Sequence, residues 1–435
     1  MTDYSKKFSD YFERHMTEIL RDLNGIISVE SVADETSDVR PFGEGSARAL
    51  AWGEEFMKGI GMDTVNFDNY AVRGDFSEGE PKLGILAHLD TVPAGTGWTY
   101  PPYSLTERNG ILYGRGVIDD KGPAVAVLWA AKAVRELGIP VENFRIIFGG
   151  NEENGCEDMK YYESKESFPE KVFTPDGSFP VLNCEKGMVH LTFSAPFEDG
   201  EIAQINGGTV INAIPEKCNI KLREPVGRQR TLVFAGKAAH GSRPENGVNA
   251  VTKFLAEHKT GNPLLKSLAK LFPAKEYDGS SCGMGFEDSV SGKMTCALTM
   301  LNTVDGRLCG GIDIRFPIDR SYGEISDMIV SALENEGFTV DSCEGMEPHY
   351  VPEDSDLVRS LLRVYERVKG EKGYCIAEGG ITYVHNTEGA VAFGAEFPDE
   401  NNNMHGADEH ISMETFRYNL NMYANAIAEI AGIEP

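Results

Sequence analysis

The first 185 residues alternate strand-like and helix-like segments, and this alternation constrains the fold more than any other feature. KLGILAHL and NFRIIFGG are apolar runs of strand length. Between them, GVIDDKGPAVAVLWAAKAVRELG has a proline near its start, a long apolar stretch and a closing Gly138, which predicts a helix. Strands that alternate with helices are typical of an α/β domain with a mostly parallel sheet.

The pattern changes from about Met188 to about His349. There, RTLVFAGKAAHGS, KMTCALTMLNTVDGRLCGGIDIRFPI and ISDMIVSALENEGFTV predict the hairpins and helices of an α+β domain. Further on, DLVRSLLRVYERVKG and HISMETFRYNLNMYANAIAEIAG predict helices, and GAVAFGAEF predicts a strand. We therefore expect a discontinuous α/β domain at residues 1–185 and 350–435, with an α+β domain inserted at 186–349.

Composition and charge exclude several classes of partner. The formal net charge is −27, so the surface repels the phosphates of nucleic acids and anionic lipids. The N-terminal segment has apolar residues at helical spacing and no signal-type run, and no apolar run is long enough to cross a membrane. We therefore expect a cytoplasmic protein that binds neither nucleic acid nor membrane. The eight cysteines are scattered, which favours reduced thiols over a few disulfides.

Polar residues follow several of the strand-like segments. In an α/β domain, functional groups gather beyond the carboxyl ends of the strands. The residues in such positions are His88, Asp90, Asp119, Asp120, Glu152, Glu153 and Asp176, with His405 in the late loop NNNMHGADEH. A mixed set of histidines and carboxylates without cysteine is typical of zinc, manganese or cobalt hydrolase sites.

The adjacent carboxylates Glu152 and Glu153 need a reason, because like charges repel. Two metals about 3.5–4 Å apart require a bridging carboxylate and two further ligands each, and the set supplies that number. One glutamate then remains to take a proton from the attacking water. Simpler interpretations stay open: NEENG can be a solvated turn, Asp119-Asp120 a helix N-cap, and His88 a structural residue at a strand end.

Five segments, in this order, resemble the motifs of the M20 family of metallopeptidases. They are HLDTVPAG (88–95), GRGVIDDKGP (114–123), NEENG (151–155), TPDGSFP (174–180) and AAHGSRPENG (238–247). The resemblance runs from about residue 10 to about residue 430 and is strongest to the PepV-like bacterial dipeptidases, of the Xaa-His or carnosinase type. It implies a catalytic domain that holds two divalent metal ions, zinc or manganese with cobalt as an option, and an inserted lid domain.

The resemblance also implies roles for the residues that match the motifs. The implied metal ligands are His88 and Asp176 on one ion, Glu153 and His405 on the other, and Asp119 as the bridge. Asp90 is implied to orient the His88 ring, and Glu152 to act as general base. The Asp119-Asp120 peptide bond resembles one that is cis in this family.

In the inserted domain, four residues resemble substrate-binding positions of the family. His240 resembles a histidine that stabilises the oxyanion, and Arg315 in GIDIRFP an arginine that grips the substrate's terminal carboxylate. Asn212 in GGTVINAIPEKC resembles an asparagine near that carboxylate, and Gly380 in EGGITY a glycine whose backbone borders the substrate. Histidines that match no ligand motif are interpreted as structural or exposed: His190, His258, His349, His385 and His410.

The resemblance implies hydrolysis of the peptide bond in dipeptides whose two ends are both free. The length of the inserted domain is similar to that of the two-part PepV-like lid, which implies a monomer. Two alternatives stay open: an N-acyl amino acid deacylase or aminoacylase on the same scaffold, and a catalytically silent relative that binds metal or peptide. Hydrolysis of a substrate panel separates these three.

Overall fold

The chain forms two compact units; among the described residues, unit 1 contains two clusters of buried apolar residues and unit 2 contains one. The computed structural model describes residues 3–33, 37, 39–223 and 229–433. Unit 1 consists of Met1–Asn183, Val351–Ile376 and Thr382–Pro435, and unit 2 of Cys184–Tyr350 and Ala377–Ile381. The expected boundaries placed residues 377–381 in the first domain, whereas the structure groups them with unit 2. The segment belongs to unit 2 because the carbonyl oxygens of Glu378 and Gly379 accept hydrogen bonds from Lys186 and Arg315.

Helices and strands are numbered separately, each in chain order. The helices are α1 (Ser5–Ile27), α2 (Gly43–Gly59), α3 (Lys121–Glu136), α4 (Glu157–Glu163), α5 (Ala250–Glu257), α6 (Pro263–Leu271), α7 (Tyr322–Asn335), α8 (Asp356–Lys369) and α9 (Met413–Ile430). The strands up to residue 185 are β1 (Asp63–Phe67), β2 (Ala71–Asp75), β3 (Gly84–His88), β4 (Thr106–Arg108), β5 (Ile111–Tyr113), β6 (Arg145–Gly149), β7 (Val172–Thr174) and β8 (Val181–Glu185). The later strands are β9 (Gly187–Pro196), β10 (Ile202–Gly207), β11 (Ala213–Ile214), β12 (Lys217–Arg223), β13 (Gln229–Ala235), β14 (Ala239–His240), β15 (Glu287–Asp288), β16 (Gly292–Lys293), β17 (Thr295–Val304), β18 (Arg307–Phe316), β19 (Thr339–Met346), β20 (His349–Tyr350), β21 (Cys375–Glu378), β22 (Val391–Ala392) and β23 (His410–Ser412).

Unit 1 is an α/β domain, as predicted. Its sheet has the strand order β1-β2-β6-β3-β7-β22-β8. The pairings of β6, β3, β7 and β22 with one another are parallel, and those on both sides of this centre are antiparallel. The sheet is therefore mixed, with its parallel part in the middle. Because β3, β6 and β7 run in the same direction, the loops that follow them emerge at one edge.

Helix α3 forms where the sequence predicts it and is buried along most of its length. It begins directly after Asp120 and ends before Gly138, whose φ of 62° is a left-handed conformation suited to glycine. Trp129 at its centre is fully buried and contacts Tyr11 of α1 and Phe56 of α2. A helix that is apolar on all sides belongs inside a domain, and α3 thus anchors the loop that precedes it.

Unit 2 is built on an antiparallel sheet of order β13-β12-β10-β17-β18-β9-β19. Alternate residues such as Val189, Leu191, Ile312 and Ile314 form one core with the buried faces of α5, α6 and α7. Residues between them point to the opposite face, because side chains alternate along a strand. The predicted α+β character of this segment is thus present, including the β17–β18 hairpin.

Two further expectations concern the whole chain. No helix in the described part of the chain combines the length and apolar character that a bilayer crossing needs. All eight cysteines are free thiols, five of them buried. This agrees with the interpretation of the cysteines as reduced thiols.

Candidate metal centre

Two groups of potential metal ligands lie in unit 1, and they share Asp119. One group is His88, Asp119 and Asp176, and the other is Asp119, Glu153 and His405; within each group the ligand atoms lie within 4.8 Å of one another. Asp119 Oδ1 is 2.9 Å from His88 Nε2, and Asp119 Oδ2 is 2.8 Å from His405 Nε2. One carboxylate therefore faces two imidazoles with its two oxygens, which is the arrangement of a bridging ligand.

The fold explains how these residues meet. His88 is the last residue of β3, Glu153 follows β6, and Asp176 follows β7, so the ends of neighbouring parallel strands carry them. Asp119 lies just before α3, and His405 lies in the loop before β23. The structure thus brings together all five residues whose motifs imply metal ligation, and their role as ligands stays a prediction.

Asp90 links the first histidine to the two glutamates. Its buried carboxylate accepts hydrogen bonds from the backbone N–H groups of Glu152 (3.1 Å) and Glu153 (3.2 Å). The same carboxylate lies 3.4 Å from His88 Nδ1, and the Asp90 carbonyl oxygen lies 3.2 Å from that nitrogen. Because these neighbours of Nδ1 are acceptors, Nδ1 carries the ring proton, and Nε2 remains the ligand atom.

The backbone of the glutamate pair is thus fixed while the two side chains diverge. Glu153 Oε2 lies 3.2 Å from His405 Nε2, within the second ligand group. Glu152 belongs to neither group. This difference answers why two carboxylates stand side by side: they occupy different places relative to the ligands.

The helix N-cap interpretation of Asp119-Asp120 does not hold. Asp120 occupies the N-cap position of α3 but makes no capping hydrogen bond with its side chain. Its Oδ2 instead accepts from the backbone N–H of His88 at 3.1 Å. The Asp119-Asp120 peptide bond is cis, as the family resemblance implies.

The charged groups of the site favour the binding of cations. Burial, reinforced by neighbouring carboxylates, raises the pKa values of Glu152 and Glu153. Burial opposes ionisation of Asp119 too, but hydrogen bonds from His405 and His88 outweigh it and hold the pKa low. Burial likewise opposes protonation of His405, yet Asp119 and Glu153 raise its pKa to about 11. The centre has more carboxylates than imidazoles, which fits the binding of divalent cations. The positive charge of a bound cation favours ionised carboxylates and neutral imidazoles.

A buried ion pair supports the loops that carry Asp119 and His405. Arg115 Nη1 donates to Glu409 Oε2 at 2.5 Å, and Arg115 Nη2 donates to the carbonyl oxygens of His405 (3.3 Å) and Gly406 (3.1 Å). Glu409 also accepts from the backbone N–H groups of residues 116, 118 and 119. Sequence reasoning missed this pair, although its members lie in the segments GRGVIDDKGP and NNNMHGADEH.

A second buried carboxylate lies beneath the glutamate loop. Asp158 Oδ2 accepts from the backbone N–H groups of Gly150 (2.7 Å) and Asn151 (2.8 Å), and from the hydroxyl of Tyr383. Burial is the main cause that raises the pKa of Asp158 to about 7. The Tyr383 ring packs edge-on against the His88 ring. A lone aspartate in the GCEDM segment gave no sequence signal for this role.

The four substrate-binding candidates all lie in unit 2. His240 and Asn212 are neighbours because β11 pairs with β14, and the backbone N–H of Gly241 donates to the Asn212 carbonyl at 2.7 Å. Arg315 Nη1 donates to the carbonyl oxygen of Gly379 at 2.9 Å. Gly379 precedes the candidate Gly380, whose predicted place beside the substrate stays a prediction. A Cβ placed on Gly380 would meet only a carboxylate oxygen of Glu378, at 4.0 Å.

The ring of His240 is oriented by its own loop. Its Nδ1 accepts from the backbone N–H of Ser242 at 3.2 Å and lies 2.7 Å from the Ser242 hydroxyl. Since a backbone N–H can only donate, Nδ1 is unprotonated and the ring proton is on Nε2. An Nε2–H group is a hydrogen-bond donor of the kind that an oxyanion requires.

The comparisons with known proteins agree on one peptidase family. Residues 84–429 match the peptidase family M20/M25/M40. The Bacillus subtilis (strain 168) protein YtjP is 31% identical, with 96% of this chain and 98% of that protein aligned. The Beta-Ala-Xaa dipeptidase of Lactobacillus delbrueckii subsp. lactis is 29% identical, with 97% and 98% aligned.

Solved structures show the same fold at low sequence identity. Human carnosine dipeptidase 1 superposes with a TM-score of 0.67 at 15% identity, over 99% of this chain and 100% of that chain. The dipeptidase Dug1p of Saccharomyces cerevisiae gives 0.66 at 13% identity, over the full length of both. The family match and the α/β architecture with its second unit therefore agree.

Proposed function

Because this chain belongs to the metal-dependent peptidase family M20/M25/M40, we propose that it is a dipeptidase with two divalent metal ions, which cleaves dipeptides whose ends are both free. The observation that supports this most is the sharing of Asp119 between two ligand groups. The relatives with dipeptidase names agree with the substrate class. We further propose that the protein is a cytoplasmic monomer, which light scattering would test as a mass of one chain.

The proposed ligand sets follow the two groups. His88 and Asp176 hold one ion, Glu153 and His405 hold the other, and Asp119 joins both. Zinc, manganese and cobalt all suit imidazole and carboxylate ligands, so we propose zinc or manganese, with cobalt as an option. Such ions, when bound, polarise a carbonyl group and lower the pKa of the attacking water.

The chain's own residues carry the proton steps. Glu152 takes the proton of the attacking water and returns it to the nitrogen of the leaving amine. Its backbone is fixed by Asp90, which limits how far the carboxylate can move. His240 donates from Nε2 to the developing oxyanion. Arg315 binds the substrate's terminal carboxylate, with Asn212 and the glycine pair at 379–380 beside it.

A substrate panel tests the function. Metal-stripped protein is resupplied with zinc, manganese or cobalt and assayed on dipeptides, tripeptides and N-acetyl amino acids. We expect cleavage of dipeptides only. Cleavage of acetylated substrates alone would reassign the protein as a deacylase, and full metal content without any hydrolysis would make it a binding protein.

Glu152→Gln tests the proposed base. We expect kcat to fall by about 100- to 10,000-fold while metal content stays the same, because the amide cannot accept the proton. Glu157→Gln is the matched control, since Glu157 lies five residues further along the chain and is exposed. Retained turnover in Glu152→Gln would remove this residue from its role.

A further inference from the structure

Asp313, Arg315 and His190 form a cluster of polar side chains within unit 2. Asp313 is fully buried, and its Oδ1 and Oδ2 each accept from Arg315, from Nε and Nη2 respectively, both at 2.9 Å. Asp313 Oδ2 also lies 3.0 Å from His190 Nε2. The aspartate thus holds one edge of the guanidinium by a two-point contact, with the histidine on its other side.

The cluster lies on the face of the unit 2 sheet that is opposite the apolar core. Strands β9 and β18 pair so that His190 stands directly across from Asp313, and Arg315 follows two residues later on the same face. Two glycine loops cover the carboxylate and the arginine. A Cβ at Gly241 would lie 2.8 Å from Asp313 Oδ2, and one at Gly379 would lie 2.8 Å from the Ser242 Cβ and 3.4 Å from Arg315 Cγ. Glycine is needed at both places because any side chain would collide.

The remaining hydrogen-bonding capacity of Arg315 defines what it can bind. A guanidinium has five N–H groups. Asp313 takes two and the Gly379 carbonyl takes one. Among the described residues no acceptor meets the other two, one on Nη1 and one on Nη2. A pair of N–H groups on the two terminal nitrogens matches the two oxygens of a carboxylate.

We propose that Asp313 and His190 are positioning residues that determine specificity for a free C-terminal carboxylate, by fixing the Arg315 fork against the backbone of residue 379. This inference rests on the proposed function, because it concerns how that reaction selects its substrate. Asp313 turns the guanidinium so that its outer N–H pair faces the ligand. His190 Nε2 lies 3.0 Å from Asp313 Oδ2, the oxygen that also accepts from Arg315 Nη2, and so helps to fix the carboxylate in place.

The electrostatics agree with this geometry. Burial opposes ionisation of Asp313, but the hydrogen bond with His190 and the charge of Arg315 outweigh it and lower its pKa to about 2. The carboxylate is therefore charged at neutral pH. The charged carboxylate holds the guanidinium by two charge-assisted hydrogen bonds, which fix the direction of its remaining N–H groups.

The test compares a dipeptide with its C-terminal amide. For wild type and Asp313→Asn, kcat/KM is measured on alanyl-alanine and on alanyl-alaninamide, and the ratio is formed for each protein. We expect the ratio to fall by up to about 100-fold in Asp313→Asn, through a higher KM for the dipeptide, because a misplaced fork loses only the carboxylate contact. In His190→Gln we expect this ratio to fall as well, but by a smaller factor.

The matched control is Asp341→Asn, an exposed aspartate of the same sheet that bonds to Ser194 and lies apart from Arg315. Its ratio should equal that of wild type. Equal losses on both substrates in Asp313→Asn and an unchanged ratio in His190→Gln would overturn the inference, since a purely structural role affects both substrates alike. If Asp313→Asn does not fold, His190→Gln decides alone. A wild type that cleaves no dipeptide removes the proposed function and this inference together.

Discussion

At the scale of single residues, the site depends on a few carboxylates that each contact several groups. Asp119 faces two histidines, and Asp90 holds one histidine and two backbone N–H groups. In a buried place, a carboxylate that satisfies several donors fixes their relative positions. The loss of one such residue therefore disturbs more than one ligand.

Asp90→Asn is expected to weaken metal binding by about 10- to 100-fold, the usual effect of losing an outer partner of a metal-bound histidine. The amide oxygen can replace Oδ1, which faces the Glu152 N–H and His88 Nδ1, but it is a weaker acceptor than a carboxylate, and the NH2 group at the Oδ2 position then opposes the N–H of Glu153. Competition with a chelating dye measures the affinity. Asp63→Asn, at a largely exposed aspartate, should leave it unchanged. An unaltered affinity in Asp90→Asn would contradict the positioning role.

Metal binding is expected to release protons. Burial opposes protonation of His88, but hydrogen bonds to Asp119 and Asp90 outweigh it and raise its pKa well above the usual range, and the pKa of His405 is raised to about 11. The His405 ring is therefore protonated at pH 7 without metal, and the raised pKa of His88 favours the same form. A ring that is protonated must lose a proton to bind metal, so affinity rises with pH. We expect about two protons released at saturation, measured by calorimetry in buffers of different ionisation enthalpy.

His405→Gln should release about one proton fewer. His410→Gln is the matched control, because His410 lies in the same loop region, where its ring contacts the carbonyl oxygen of Asp408 and the ring of Tyr113. Proton release that does not change with His405→Gln would show that this ring is neutral before metal binds.

At the scale of elements, the loops between strands and helices are held by buried ion pairs. Arg115 and Glu409 are each 1% exposed, and together they tie the segment before α3 to the segment before β23. His405 in the latter has a φ of 61°, a left-handed conformation that is strained for a residue with a side chain. The carbonyl contacts of Arg115 with His405 and Gly406 stabilise it there.

Arg115→Met is expected to lower the free energy of unfolding by about 3–5 kcal/mol, because it leaves the Glu409 charge buried without its partner. Arg417→Met is the control: it breaks the exposed Arg417–Glu13 pair, and such pairs contribute about 0–1 kcal/mol. Urea denaturation gives both values. Equal losses in the two variants would mean that the buried pair contributes no more than an exposed one.

At the scale of the whole molecule, each of the two units is stabilised by its own buried apolar residues, and all the proposed ligands belong to unit 1. Ligands that bind only the native state stabilise it by mass action. Chelation of the metal should therefore lower the free energy of unfolding of unit 1. The expected loss is about 4 kcal/mol, relative to protein in the presence of free metal at a thousand times Kd.

Hydrogen exchange would locate this effect. We expect faster exchange in β3, β6 and β7 after chelation and unchanged exchange in β17 and β18. Leu298→Ala, in the core of unit 2, is the reverse control, because its cavity should raise exchange in β17 and leave metal affinity unaltered. Equal effects of chelation on both units would contradict independent stabilisation.

Much of the fold and of the site's composition could be predicted from local patterns. The helix α3, the β17–β18 hairpin and the α/β class follow from apolar periodicity, which is a property of neighbouring residues. The candidate ligands follow from polar residues placed after strands. The grouping of the segment 377–381 with unit 2 has no local signal, because it rests on hydrogen bonds with residues far away in the chain, Lys186 and Arg315.

The sequence by itself determined the chemistry of this protein: histidines and carboxylates after strands, in the order of the M20 motifs. Only the tertiary structure decided which distant groups meet, such as Arg115 with Glu409 and His190 with Asp313. The physical reason is that periodicity arises from neighbours along the chain. A contact between residues more than a hundred positions apart depends instead on strand order and register, which the packing of the whole unit sets.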